Sequence, residues 1–346
     1  MPSIEIKAPR LESGRNRSID ELKGLAIILI ILYHAGGVLV WQNFFHGDIG
    51  VDLFVILSGL GLGLSSRSES GGQFLKRRLI RIMPAYWIVL TAFLAANTYI
   101  LQIPYSPFNI VTHYVGIHAC FGDAIGFSVD DSFWFITLIL GLYLLYVPMR
   151  GVLRRPDLLV LFGGILSAAV AYAYWSTGQS GCFGHIGLRL PGFFAGLLAG
   201  RLLREGRLEV PLSPAFAAGL FILVYVPYTH GIVFYTEVTA FALAMGYLFL
   251  WKSAAPANLR ARVSGFLAFF GTYSLEIFLI HQPLLREYNY YLQARLFHDT
   301  HPSSGSLIAG MVVGLGATLF LSYELHSVLA RIFGPSQPPP PAAVAA

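Results

Sequence analysis

A lysine, Lys23, and a histidine, His34, lie eleven residues apart in the first long apolar stretch of the chain. Eleven residues make about three helical turns, a rise of roughly 16 Å, so both side chains are expected on one helix face. A histidine inside a bilayer is costly, and its imidazole exchanges a proton near neutral pH. The spacing indicates a helix with a cation at one membrane surface and proton chemistry near the other. The alternative is a histidine that packs by hydrogen bonding to a neighbouring helix.

A carboxylate, Asp52, lies about one turn inside the outer end of the second apolar stretch. His34 is expected to reach the same depth from the other direction. Asp52 is then placed to orient the imidazole or to stabilise its protonated form, as the third member of a catalytic triad does. The alternative is that Asp52 caps the second helix through its backbone amides.

Cations cluster just before the third apolar stretch. Arg77 and Arg81 are four residues apart, and Arg78 and Arg81 three apart, so on a helix they share a face. Clustered guanidinium groups bind phosphates bidentately. The alternative is that these cations reflect only the excess of Lys and Arg in cytoplasmic loops. Pro84 follows them and predicts the start of a new helix.

Two more ionisable residues lie in later apolar stretches. Arg189, in the sixth, needs a partner if it is buried, and Glu237 and Glu276 are candidates. The pair is either structural, or Arg189 holds an anionic substrate or a developing oxyanion. His281 falls near the outer end of the ninth stretch and is interpreted as a snorkelling interfacial residue.

Composition places these residues in a membrane protein. Of the 346 residues, 55% are hydrophobic and only 12% are charged, about half the charged fraction of soluble domains. The net charge of +5 comes from short loops between apolar stretches, which argues against a nucleic-acid partner. The sequence contains no HExxH or paired CxxC motif and no GxSxG elbow, so we expect neither a metal nor a Ser-His-Asp hydrolase.

The apolar pattern predicts an all-α fold, a polytopic transmembrane bundle of about ten spans, with roughly 20 residues for each crossing. The spans are predicted near residues 22–40, 49–65, 84–103, 131–149, 158–175, 185–203, 212–230, 232–251, 264–284 and 305–330. All lysines and arginines except Arg189, Arg286 and Arg295 fall on one side of this map. Because cytoplasmic loops carry such an excess, both termini are predicted to be cytoplasmic.

This map divides the chain into three parts. Residues 1–21 are expected to be a cytoplasmic segment rather than a cleaved signal peptide, and residues 22–333 the membrane domain. The Pro/Ala-rich tail, residues 334–346, is expected to be disordered and cytoplasmic. Cys120 and Cys182 both fall in outer loops, where they either pair or remain two thiols. The expected location is the inner (plasma) membrane, and no oligomeric state is predicted.

Three motifs, in this order, resemble the acyltransferase 3 family of polytopic membrane acyltransferases. They are Arg17-x-x-Asp20-x-x-Lys23-Gly24 followed by His34, Gly50-Val51-Asp52-Leu53-Phe54 with Ser58-Gly59, and Arg77-Arg78-x-x-Arg81-Ile82-x-Pro84. Weaker echoes are Trp134-Phe135 with Gly141 to Leu144, and the segment from Ser274 to Pro283. The resemblance covers about residues 17–326.

The resemblance implies transfer of an acyl group, most often acetyl, from cytoplasmic acyl-CoA to a hydroxyl of a glycan or lipid-linked sugar. His34 matches the family's essential histidine and would act as general base. Asp52 and Arg189 would hold protonated or anionic states. The CoA phosphates would bind the inner cations, which are Lys23, Arg77, Arg78 and Arg81.

Two positions depart from the family pattern. Lys23 stands where the family usually carries arginine, which keeps the charge but loses the planar fork. Ile139 stands where many members carry a glutamate, five residues after the tryptophan of the fourth span.

A second class of function is a transporter or flippase of a glycan or lipid precursor. Intramembrane His, Arg and Glu residues also mark transport routes. Against this alternative, the sequence has no inverted repeat and no paired broken helices.

Overall fold

The computed structural model describes residues 17–38, 47–65, 67–151, 186–206, 235–247, 256–286 and 303–334, and single positions within 161–172 and 288–293. Within this part the structure is helical and has no strand. Its α-helices are α1 Arg17–Val38, α2 Gly47–Leu64, α3 Gly71–Tyr99, α4 Pro107–Val115, α5 Asp123–Gly126, α6 Trp134–Met149, α7 Leu190–Arg204, α8 Tyr235–Met245, α9 Ala257–Thr272, α10 Ser274–Leu285 and α11 Ser304–Phe333. A short 3₁₀ helix, His118–Phe121, lies between α4 and α5. The all-α expectation is confirmed for these residues.

Three of the described helices, α2, α3 and α11, are long and apolar enough to cross a membrane. The predicted span at 264–284 is instead a bent pair, because α9 and α10 meet at 76°. Together they would make a fourth crossing, and α6 is a shorter apolar helix. The predicted span at 212–230 and most of that at 158–175 lie outside the described residues, as do most of the N-terminal segment and the tail. The chain is a helical membrane protein.

Glycines let α2 and α7 pack backbone to backbone. A Cβ on Gly59 or Gly63 of α2 would overlap a backbone carbonyl of α7. Gly196 and Gly200 of α7 face α2 carbonyls in the same way. Small residues spaced by four are what close packing of membrane helices requires. This contact fixes Arg189, which precedes α7, beside the first turns of α2.

The third helix begins well before Pro84, so the prediction that Pro84 starts a helix is wrong. Ser70 caps α3, since its hydroxyl accepts from the Gln73 amide at 3.2 Å and the Gln73 side chain accepts from the Ser70 amide at 2.9 Å. This reciprocal capping box satisfies two N–H groups and outweighs the proline signal. Pro84 therefore lies inside a helix of 29 residues, which membrane helices tolerate.

Side-chain contacts define two ends of the helix bundle. Arg150, after α6, donates to the Glu69 carbonyl before α3 at 2.8 Å, and Arg204 of α7 donates to the Ser65 carbonyl after α2 at 2.7 Å. Arg81 of α3 interacts electrostatically with the first turns of α1. We call this end, with the starts of α1 and α3 and the ends of α2, α6 and α7, the basic end. The far end holds the end of α1 and the starts of α2, α6 and α7.

Candidate active site

Two histidines from distant parts of the chain meet inside the bundle. Nδ1 of His34 on α1 lies 2.9 Å from Nε2 of His281 on α10, although 247 positions separate them in sequence. The ring centroids are 4.9 Å apart. His281 is fully buried, whereas His34 is half-buried. The side chain of His34 therefore contacts another helix of the bundle, α10.

Hydrogen-bond partners assign the protons of both rings. Nδ1 of His281 lies 2.8 Å from the Phe278 carbonyl oxygen and 3.1 Å from that of Ile277. Carbonyl oxygens only accept, so this nitrogen carries the proton and Nε2 of His281 has a lone pair. That lone pair accepts from Nδ1–H of His34. Nε2 of His34 is then unprotonated, the state that a general base needs.

The interpretation of His281 as a snorkelling interfacial residue is therefore wrong, because its side chain has 0% exposure. The break at Tyr273 starts a new helix inside the bundle and turns His281 toward α1. The sequence signal for His281 was the weak family resemblance of the segment from Ser274 to Pro283. Asp52, predicted to orient His34, has a different partner.

Arg189 is the partner of Asp52. Nε of Arg189 lies 3.2 Å from Oδ1 of Asp52, and its Nη2 lies 3.2 Å from Oδ1 of Asp48. The guanidinium carbon lies 4.7 Å from the centre of the Trp134 ring, a cation–π distance. Arg189 is also the N-cap residue of α7, where the helix dipole disfavours a cation. The two carboxylates, one turn apart on α2, compensate for this position.

These contacts decide two alternatives left by the sequence. Asp52 lies in the second turn of α2 and is 1% exposed, so it is an ion-pair partner rather than a cap. Pairing of Arg189 with Glu276 is wrong, because Oε1 of Glu276 lies 2.8 Å from Nδ1 of His326 on α11. The side chain of Glu237 lies outside the described residues.

Arg78 and Arg81 lie at the basic end, on the bundle-facing side of α3. The Arg78 guanidinium lies over the Tyr143 ring of α6 at 5.1 Å from its centre. Arg81 has an exposed side chain, yet it interacts electrostatically with Tyr143, Glu276 of α10 and Asp20 of α1. The neighbours of this guanidinium therefore come from α1, α6 and α10. We call this group of five residues, Asp20, Arg78, Arg81, Tyr143 and Glu276, the basic recess.

The other two predicted phosphate ligands differ in their surroundings. Lys23 lies 3.7 Å from Asp20, so it borders the basic recess. Arg77 instead forms a two-point ion pair with Glu69, in which Nε donates to Oε2 at 3.2 Å. The structure thus brings Arg78 and Arg81 together, places Lys23 beside Asp20, and engages Arg77 with a carboxylate of its own.

Helix α10 connects the recess with the histidine pair. Glu276 belongs to the recess, and His281 follows it by five residues, a rise of roughly 7.5 Å. Helix α10 thus carries one residue of each group, which places the cations and the imidazole pair at different heights of the same bundle.

A second histidine pair, at the far end, is structural. The rings of His113 and His118 stack with centroids 4.1 Å apart, and both side chains are buried. Burial lowers the pKa of both, that of His118 to about 3, so both are neutral near pH 7. Cys120, two residues later, is disulfide-bonded, whereas Cys182 lies outside the described residues.

Comparison with known proteins agrees with a helical membrane enzyme of this kind. A family model described as an acyltransferase domain matches residues 16–326. The chain belongs to the acyltransferase 3 family, as its motifs predicted. It is also similar to a Komagataeibacter xylinus protein named "Putative membrane-bound transacylase BcsY", with 28% identity over 336 residues, 90% of this chain and 82% of the relative. No solved structure shows a significant match.

Proposed function

We propose that this membrane acyltransferase moves an acetyl group from acetyl-CoA to a hydroxyl of a glycan or lipid-linked sugar, with His34 as general base. The observation that supports this proposal most directly is the hydrogen bond between His34 and His281. It leaves Nε2 of His34, on a half-buried residue, with a lone pair. His281, whose backbone hydrogen bonds anchor it, is the positioning residue.

The reaction proceeds in two steps. Nε2 of His34 takes the hydroxyl proton while the acceptor oxygen attacks the thioester carbonyl carbon, which forms a tetrahedral oxyanion. Nδ1–H of His34 stays bonded to His281 and keeps the imidazolium oriented. The oxyanion then collapses, the C–S bond breaks, and the proton passes from His34 to the thiolate of CoA. The products are an O-acetyl ester and free CoA, and His34 returns to its starting state.

The donor would bind at the basic end. Lys23, Arg78 and Arg81 supply cations for the phosphates of CoA, and guanidinium groups bind phosphate oxygens bidentately. Arg77 has a smaller part, because Glu69 already neutralises it. If the basic end faces the cytoplasm of the inner (plasma) membrane, as the excess of cations indicates, the donor enters from there. The acceptor then approaches from the far end.

Arg189 and Asp52 would act on the site indirectly. Their ion pair ties the start of α7 to α2. The first residue of α2, Gly47, packs on the ring of Tyr33, where a Cβ would lie 2.7 Å from the ring. Tyr33 adjoins His34, so the ion pair helps to fix the wall beside the base.

The test uses membranes from cells that carry or lack the protein, incubated with acetyl-CoA labelled in the acetyl group. Label should enter the glycan fraction only with the parent protein, and His34→Ala should abolish it. Val313→Ala, on the exposed surface of α11, is the control that should keep the activity. Label in glycan from a well-inserted His34→Ala protein would refute the base, and no label with the parent would favour a transporter.

A further inference from the structure

A charged pair lies near His34 at the far end of the bundle. Nη1 of Arg286, directly after α10, lies 3.2 Å from Oδ2 of Asp131, which precedes α6. Both side chains are 49% exposed. Arg286 also interacts electrostatically with His34 and Tyr33. An accessible ion pair thus lies close to the proposed base, on the side away from the basic recess.

An aromatic ring completes this surface. The ring of Tyr33 meets that of His34 edge-on, with centroids 5.2 Å apart, and Tyr33 is 38% exposed. It also interacts electrostatically with Asp48 of α2. We call Tyr33, Asp48, Asp131 and Arg286 the far-end mouth.

The described arginines in and beside the far-end mouth, Arg286 and Arg189, are each paired with a carboxylate. Arg286 is matched by Asp131, and the neighbouring Arg189 is matched by Asp48 and Asp52. Among the described residues here, carboxylates therefore outnumber guanidinium groups. An anionic ligand would have to displace a carboxylate from its arginine. A neutral polyol has no such cost, because its hydroxyls accept from guanidinium N–H groups and donate to carboxylate oxygens.

We propose that the far-end mouth binds the acceptor as an uncharged, hydroxyl-bearing sugar unit, held by Arg286 and Asp131 beside Tyr33. One hydroxyl of this unit then points at Nε2 of His34. The mouth selects against a carboxylate or phosphate on the reacting sugar. This inference rests on the acyl transfer proposed above and adds the residues and the charge preference of its acceptor.

The test is competition in the labelled acetyl-CoA assay. An alkyl β-glucoside and the matching alkyl β-glucuronide are added as competitors of the native acceptor. They differ only at C6, which is a hydroxymethyl group in the first and a carboxylate in the second. With the parent protein the glucoside should inhibit labelling at least fivefold more strongly than the glucuronide. Asp131→Asn keeps the shape but removes the negative charge that faces Arg286, so this order should reverse.

A second variant separates binding from folding. Arg286→Gln should raise the acceptor KM about tenfold and leave the KM for acetyl-CoA unchanged, and Arg286→Lys should partly restore it. Arg331→Gln, an exposed arginine at the end of α11, is the matched control and should behave as the parent. Three outcomes would overturn the inference while the labelling itself stands. They are stronger inhibition of the parent by the glucuronide, no competition by either compound, and an Asp131→Asn protein that the glucoside still inhibits more strongly. A parent that labels no glycan would overturn the proposed function, and this inference with it.

Discussion

His281 lies between His34 and the backbone of α10, with one ring nitrogen 2.9 Å from His34 and the other 2.8 Å from the carbonyl of Phe278. Since that carbonyl cannot donate, His281 donates from Nδ1 to Phe278, and its Nε2 accepts from Nδ1–H of His34. His281 thereby favours the tautomer of His34 whose Nε2 has a lone pair.

Replacement of His281 should therefore lower the rate without removing the base. We expect His281→Phe to reduce kcat about 10- to 100-fold with little change in the acetyl-CoA KM, whereas His34→Ala should lose about 10²- to 10⁴-fold, the usual worth of a general base. A pH–rate profile of His281→Phe should be displaced from that of the parent, because the imidazolium of His34 loses a hydrogen-bond acceptor. An equal loss in rate with an unchanged profile would show a packing role only.

Donor binding should depend on the cations of the basic recess in a graded way. Arg81→Ala should raise the acetyl-CoA KM about tenfold or more, since a lost charge-assisted hydrogen bond costs about 1.5–3 kcal/mol. Arg77→Ala should have a smaller effect, because Glu69 already holds this guanidinium. Lys23→Arg should retain activity, and Lys23→Ala should raise the acetyl-CoA KM. Initial rates against acetyl-CoA concentration decide this, and equal effects of the Arg77 and Arg81 variants would contradict the assignment.

The contact between α2 and α7 offers a matched pair of glycines. Gly59→Leu should destabilise the protein strongly, because even a Cβ there overlaps the backbone of α7. Gly61→Leu, two residues on, meets nothing within 4 Å and should keep the parent stability. Thermal unfolding of the detergent-purified variants, followed by size-exclusion chromatography, measures the difference. Equal melting temperatures would mean that the close approach is absent.

Acid should destabilise the protein through the stacked histidines at the far end. The unfolded chain binds a proton at each histidine near pH 6.5, but burial holds the pKa of His118 at about 3. The unfolded state therefore gains protons first as the pH falls, and stability declines from about pH 6.5 toward pH 3. His118→Phe keeps the stacked ring and should flatten part of this decline in melting temperature. If the melting temperature of His118→Phe fell with pH as steeply as that of the parent, other groups would account for the acid sensitivity.

Local sequence information predicted the parts of this site that lie within one helix. Lys23 and His34 do share a single helix, as their spacing indicated. The spacing of Gly59 and Gly63, four residues apart in one apolar stretch, is likewise a local signal, because close packing of membrane helices needs small residues at this interval. Composition and charge pattern were enough to establish a helical membrane protein.

Partners across helices could not be predicted in the same way. Asp52 binds Arg189, and His34 binds His281, because crossing angles and a helix break decide which faces meet. The break at Tyr273 has no proline signal in the sequence, so the burial of His281 against α1 was not predicted. The start of α3 does have a local signal, because Ser70 and Gln73 are spaced as a capping box requires, and this signal is stronger than that of Pro84.

The bend at Tyr273 also limits the length of the helix that carries His281. Helix α10 has 12 residues and is roughly 18 Å long, well short of a hydrocarbon core of about 30 Å. Helix α9 meets α10 at 76° instead of continuing it in a straight line. A helix of this length does not cross the core alone, so this crossing depends on both α9 and α10 and on the angle between them.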